Sequence, residues 1–233
     1  MDSLKNLLQQ KNCKDVVVLT GAGISAESGI KTFRDSNGLW EDHAIEDIAS
    51  PEGFYKDPEM VHRFYNLRRA QLQDVYPNPA HTALSDLEKI VDNFTLITQN
   101  VDDLHERGGS QNVLHMHGEL KKIFCLKTGK VDYFEGDVMS EEFSFVRPDI
   151  VWFGEAIKYS TEIQKAFENC DLYLCIGTSN NVYPAAGFVQ AAKMKNALCI
   201  ELNLEATALS HQYDLNFYGP ATEIVTQFVD LFR

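Results

Sequence analysis

Cysteine is scarce in this chain and poorly spaced for a scaffold. Five occur in 233 residues, at Cys13, Cys125, Cys170, Cys175 and Cys199; the number is odd, the positions are scattered, and there is no C-x-x-C. Neither a disulfide framework nor a thiolate zinc site is indicated, and reduced, mostly buried thiols are expected. Long apolar runs are missing as well. None approaches the roughly 20 residues that cross a bilayer, and the opening "MDSLKNLLQQKNCKD" has neither an apolar stretch nor a small-residue cleavage site. The expectation is a cytoplasmic protein with no membrane contact. Basic residues are outnumbered 21 to 34, for a net charge of −13. Such a charge repels nucleic-acid phosphates and favours lysine-rich partners. No repeat, low-complexity tract or Pro/Gly/Ser-rich linker divides the chain, so 1–233 reads as one domain.

What is present is alternation. "DVVVLT" (15–20), "NFTLITQN" (93–100), "DLYLCIGTS" (171–179) and "ALCIELN" (197–203) are short, β-branched, nearly all-apolar runs, as in strands buried on both faces. Helical patterns over 58–74, 79–91, 160–169, 184–195 and 221–232 separate them. The fold expected is α/β, a Rossmann-like parallel sheet with helices on both faces, built from about 1–117 and 151–233. Residues 118–150 differ, with aromatics at Phe124, Tyr133, Phe134, Phe143 and Phe145 and turn signals at "TGK" and "EGD". They read as a small insertion packed beside the main sheet.

Each strand ends in small or polar residues: Thr20-Gly21, Gln99-Asn100, Gly177-Thr178-Ser179 and Asn203. Ligands of open α/β sheets sit at these carboxyl ends. Gly21, Gly23 and Ala26 match G-x-G-x-x-G/A, where glycines permit a tight turn and close approach to a pyrophosphate at a helix N-terminus. A purely structural turn explains the same glycines. The acid that usually binds ribose about 20 residues later is absent, since Glu41 and Asp42 follow Trp40 in no obvious strand, which disfavours a standard dehydrogenase.

The segments "GAGISAESGIKTFRDSNGLW", "TQNVDDLHERGG", "HMHGEL", "VWFGE", "GTS", "NLE" and "YGPA" occur in this order over residues 20–221. In that order they resemble the sirtuins, and the likeness covers nearly the whole chain. It implies an NAD-dependent protein-lysine deacylase acting on acyl-lysine proteins. His117 matches the family's catalytic histidine, and an imidazole near its ordinary pKa of about 6.5 suits a general base; a core histidine is the plain alternative, and His115 keeps that reading. Gln99, Asn100 and Asp102 match the segment that lines the nicotinamide and ribose pocket, where a capped polar turn would otherwise do. Gly21, Ala22, Gly23, Ser25, Phe33 and Arg34, with Asp35, match the phosphate cradle and cofactor loop. Gly177, Thr178, Ser179, Asn203, Glu205 and Ala221 match the adenosine side, each also explicable as a strand end, cap or turn.

Substrate choice is read from "DPEMVHRFYNLRRAQLQDV". Asp57 as N-cap and Pro58 at the first position start a helix, with Phe64, Leu67, Leu72 and Val75 as its apolar stripe. Tyr65 and Arg68 share a face at the stripe's edge, where a half-buried Tyr beside a solvated Arg is the ordinary arrangement. The pattern is similar to the class III sirtuins, whose matching Tyr and Arg hold the carboxylate of an acidic acyl group, a task suited to the guanidinium fork; Arg69 is expected to point outward. Val151, Phe153, Gly154 and Glu155, with Val182, match the extended pieces that hold the substrate peptide by strand addition, or else are sheet edge and loop.

One departure from the family concerns metal. Sirtuins commonly carry four cysteines around zinc, yet only Cys125 lies between His117 and Val151, and Thr128 stands where its paired cysteine falls. No zinc is expected, with the aromatics of 124–145 packing in its place. The resemblance implies removal of succinyl or malonyl groups, acetyl more weakly, as nicotinamide and O-acyl-ADP-ribose are released by a monomer. An ADP-ribosyltransferase and an NAD-binding regulatory module remain the alternatives.

Overall fold

The computed structural model describes residues 2–11, 13–31, 39–40 and 43–233. In chain order its elements are α1 (Asp2–Lys11), β1 (Asp15–Thr20), two 3₁₀ turns (Ala22–Ile24, Ala26–Ser28), β2 (Leu39–Trp40), β3 (His43–Ala44), α2 (Ile45–Ile48), α3 (Pro51–Lys56), α4 (Pro58–Gln71), α5 (Pro79–Ile90), β4 (Asn93–Thr98) and α6 (Leu104–Arg107). There follow β5 (Val113–His115), β6 (Gly118–Cys125), β7 (Val131–Tyr133), β8 (Val146–Ile150), α7 (Ser160–Glu168), β9 (Leu172–Ile176), α8 (Phe188–Lys193), β10 (Leu198–Asn203), β11 (Leu215–Tyr218) and α9 (Ala221–Val229). Six strands form one parallel sheet in the order β11-β10-β9-β1-β4-β5. The chain winds outward in both directions from β1, so the crevice between the ends of β1 and β9 is the topological switch point.

Side-chain alternation on the central strands explains the two-sided burial. Val16 and Val18 of β1, with Leu172, Leu174 and Ile176 of β9, face a core shared with α1, α5 and α9. Val17, Leu19, Tyr173 and Cys175 face a second core shared with α7 and α8. Strands covered on both sides have no polar face to show, which is why their sequences read as continuous apolar runs. Cys170, Cys175 and Cys199 are buried, Cys13 and Cys125 partly so, and all five are free thiols.

Residues 118–150 hold a three-stranded antiparallel sheet, β7-β6-β8. The aromatic cluster expected there does not form. Tyr133 and Phe145 are exposed, and the other rings disperse to different partners: Phe143 stacks on His62, and Phe134 lies beneath Arg69. The sheet is anchored by Leu120 and Ile150, buried in a third core with Phe64, Tyr65 and Trp152, and by a buried cation from α4. That cation is Arg69, which points inward and not outward, at 2% exposure. Its guanidinium donates to the carbonyls of Gly136, Tyr65 and Leu120 and to Asn66 Oδ1, over 3.0–3.4 Å. Leu67, expected in the apolar stripe, is 64% exposed instead. The covered face of α4 is rotated toward Arg69 because the inserted sheet packs there. The helix start is as expected: Asp57 accepts from Met60 N at 2.9 Å, with Pro58 at the first position.

Candidate active site

Three glycines join the loops at the switch point. Gly21 N donates to Ile176 O at 3.0 Å and Gly23 N to Gly177 O at 2.8 Å. A Cβ on Gly23 would lie 2.7 Å from the Gly177 backbone, and one on Gly177, whose φ is +60°, would lie 2.5 Å from Ile24 N. Their first use is therefore backbone against backbone. Two 3₁₀ turns follow β1, and Asn78 ties them to α5 by donating to Ile24 O and Ser28 Oγ. Phe33, Arg34 and Asp35 lie outside the described residues.

Behind this turn sits a buried polar centre. Ser25 Oγ donates to Asp102 Oδ2 at 3.1 Å and accepts from Asn100 Nδ2 at 3.1 Å; Asp102 Oδ1 accepts from Leu104 N. Burial raises the Asp102 carboxyl from its ordinary 3.8 to about 6. Gln99 Nε2 donates to Thr178 Oγ1 at 3.0 Å, and Asn203 Nδ2 to Thr178 O at 2.7 Å. Ser179 follows in the same loop after β9. Thus Gly21, Ala22, Gly23, Ser25, Gln99, Asn100, Asp102, Gly177, Thr178 and Asn203 form one connected group. Glu205 is exposed beyond β10, and Ala221 opens α9.

His117 borders that group. β5 stops at His115, and His117 occupies the turn before Gly118, whose φ is +83°. Its Nδ1–H donates to Gln99 O at 3.2 Å, which leaves Nε2 with its lone pair. Burial lowers its pKa below the ordinary imidazole value, so the ring is neutral at pH 7 and able to accept a proton. Val151 N donates to His117 O at 2.8 Å, bringing the 151–155 segment to the same place. Phe153 N donates to Ala49 O, Phe153 is exposed, and Gly154 takes φ +88°. Glu155 is held from within, since both its oxygens accept from Arg147 and one also from Trp152 N. Val182 is exposed on the loop before α8.

Arg68 and Asp102 line one pocket with Ile30, Lys31, Gln71, Leu72, Val101 and Leu120. Tyr65 is fully buried and does not line that pocket; its hydroxyl accepts from Trp152 Nε1 at 3.0 Å. Sequence reasoning missed Lys31 in the pocket wall, and it missed Trp152 and Arg147, which hold Tyr65 and Glu155. Trp152 lies inside the "VWFGE" motif; Arg147 carries no local signal. Among the described residues, no group of three or more His, Cys, Asp and Glu is placed to hold a metal ion, and no helix is long and apolar enough to cross a membrane.

Fold and site together define a doubly wound α/β protein whose polar centre and partly buried histidine lie at the carboxyl ends of the strands from β1 to β5. Residues 21–184 match the model of the Sir2 family. The chain is 53% identical over 232 residues to the NAD-dependent protein deacylase of Bdellovibrio bacteriovorus, covering 94% of this chain and 97% of that protein. It is 51% identical over 225 residues to the NAD-dependent protein deacylase of Escherichia coli strain K12, covering 92% and 81%. Among solved structures, a Sir2 homolog–NAD complex superposes with TM-score 0.89 at 38% identity, covering 99% and 93% of the two chains. A Sir2 protein bound to acetylated peptide does so at 0.81 and 27%, covering 97% of each. The chain belongs to the Sir2 family.

Proposed function

We propose that this protein is an NAD-dependent protein-lysine deacylase that removes succinyl and malonyl groups, and acetyl more weakly, giving nicotinamide and O-acyl-ADP-ribose. The observation that carries the reading is a neutral, partly buried His117 pinned on Gln99 O, next in the chain to Asn100 of the Ser25–Asn100–Asp102 centre, whose Asp102 also lines the pocket that holds Arg68. The donor set fits NAD: the amide of Asn100 and the carboxyl of Asp102 match a carboxamide and ribose hydroxyls, and the loops after β1, β9 and β10 are where a dinucleotide lies on such a sheet. When bound, NAD supplies an electrophilic ribose carbon from which nicotinamide departs.

The chain's own residues have four tasks. His117 Nε2 takes the proton of a ribose hydroxyl, with Nδ1 pinned on Gln99 O. Asn100 and Asp102 orient ribose and water. Gly21, Ala22, Gly23 and Ser25 face the phosphates and the nicotinamide ribose, a task that motif order alone also assigns to Phe33 and Arg34, while Gly177, Thr178, Ser179, Asn203, Glu205 and Ala221 bound the adenosine. Val151, Phe153, Gly154, Glu155 and Val182 receive the peptide, and Arg68 with Tyr65 takes the acyl carboxylate, for which a guanidinium is suited. Residues 118–150 act as the small insertion of one catalytic domain working without zinc. The protein acts as a cytoplasmic monomer on acylated proteins, and its net charge of −13 favours lysine-rich segments over nucleic acid.

The test is mass spectrometry of one peptide carrying succinyl-lysine and of its acetyl twin, each with and without NAD. Succinyl loss that requires NAD and outpaces acetyl loss supports the reading. Faster acetyl loss removes the acyl preference. Mass gain on a protein acceptor points to ADP-ribosyl transfer, and NAD bound but unconsumed to a regulatory module.

A further inference from the structure

His115 stands beside the site without a part in the chemistry above, yet it is 3% exposed and both its ring nitrogens are engaged. Nδ1 lies 3.0 Å from Asn100 O, and Nε2 lies 2.7 Å from Glu106 Oε1. Both partners are acceptors, so both nitrogens donate and the ring is an imidazolium. The main-chain ladder between β4 and β5 ends where Thr98 pairs with His115 and Met116 N donates to Thr98 O. Past that point the next two carbonyls of the chain, Gln99 and Asn100, receive their donors from the rings of His117 and His115. Two side chains thus continue the ladder along the segment that carries the site's carboxamide.

We propose that His115 and Glu106 form a positioning pair for the reaction. The Glu106 carboxylate holds the imidazolium, and the imidazolium fixes the Asn100 carbonyl, so that the Asn100 amide keeps its bond to Ser25 and, through it, its place near Asp102. The pair touches neither substrate nor cofactor and acts only through Asn100. The proposal rests on the deacylase reading for what Asn100 does.

Charge around the ring is consistent with this geometry. Burial by itself lowers the His115 pKa, but the Glu106 hydrogen bond and the charges of Glu106 and Glu119 outweigh it, and the net direction is up. The other titratable neighbours are Asp102, on the turn after β4, whose charge interacts with His115, and His105 on α6, which burial keeps neutral. The second donor belongs to the imidazolium alone and is lost as pH rises through that raised pKa. One of the two bonds must then break.

Three measurements test the pair. In protein labelled with ¹⁵N-histidine, both His115 ring nitrogens should be protonated at pH 7 in the wild type, with a lower pKa in Glu106→Gln; a neutral wild-type ring at pH 7 overturns the proposal. This readout is independent of turnover, so it stands even if wild-type protein fails to deacylate any peptide, a result that would sink the deacylase reading alone. In kinetics, His115→Ala should lower kcat about tenfold with little change in KM for peptide, as expected for slight misplacement of a reacting group. His115→Asn, whose Nδ2 stands near the place of Nδ1, should recover most of it. The Glu106→Gln variant, changed at a partly exposed side chain, should fold normally and move the alkaline limb of the kcat profile to lower pH. Failure of His115→Asn to outperform His115→Ala, or superimposable wild-type and Glu106→Gln profiles, overturns the pair.

Discussion

Replacing Asp102 with Asn should make the protein more stable above neutral pH while it loses activity. The native carboxyl holds its proton to about 6, against 3.8 ordinarily, a difference of about 2 pK units. Ionising it in place therefore costs about 3 kcal/mol relative to the unfolded chain. Because the native state binds the proton more tightly, the stability it confers is full below about pH 4 and is lost as pH rises through 6. Asn never pays that penalty. It does lose an acceptor, since one oxygen can still take the Leu104 N–H but the amide faces Ser25 Oγ, already accepting from Asn100; that mismatch costs about 1 kcal/mol. The balance near pH 8 is about 2 kcal/mol in favour of Asn, or a Tm higher by about 4–8 °C for a chain of this size. At pH 4 the gain vanishes and the mismatch remains, so Tm should equal or fall slightly below the wild type. Calorimetry at both pH values, with NAD-dependent deacylation assayed in parallel, checks this. A Tm difference of the same sign and size at pH 4 and pH 8 would refute the reasoning.

Other expectations concern single side chains. His117→Tyr should abolish deacylation with the circular dichroism spectrum unchanged; undiminished activity in that variant would remove His117 from the reaction. Arg68→Met should cut succinyl-lysine removal far more than acetyl-lysine removal and move stability by less than about 1 kcal/mol, whereas equal losses on both peptides would make Arg68 structural. The neighbouring Arg69→Met should do the reverse: by stranding the carbonyls of Gly136, Tyr65 and Leu120 it should cost about 2–4 kcal/mol, read as a lower urea midpoint, with the succinyl-to-acetyl ratio preserved.

The contrast between Arg68 and Arg69 shows where the sequence stops being legible. The four apolar runs form strands β1, β4, β9 and β10, and helices start at Pro58, Pro79, Ser160 and Ala221; burial on both faces is a local signal for the strands, as Asp57-Pro58 and Asn78-Pro79 are for two of the helix starts. β5 and β11 went unread, since three or four residues as polar as "VLH" and "LNFY" carry no period. Which side of α4 is covered is decided by Leu120 and Gly136, 51 and 67 residues from Arg69, and no local pattern records that. The site was legible differently. Motif order names its candidate residues, but the tie of Glu155 to Arg147 and of Tyr65 to Trp152 depends on a β8 residue outside every motif and on an indole nitrogen whose partner lies 87 positions away.

The strand order also bears on how the chain is made. β1 is an early strand, yet it lies at the middle of the sheet, and its two edges are filled at different times: Val16 pairs with Phe94 on one side and with Leu172 on the other. At translation rates of about 5–20 residues per second, the second edge stays open for roughly 8–30 s after the strand itself has left the ribosome. During that interval the nascent protein displays "VVVL" as an unpaired apolar ribbon, the kind of segment that chaperones bind and that nucleates aggregation when synthesis outruns them. Yield of folded protein should therefore respond to translation speed and chaperone supply more than to any change that alters only the finished fold.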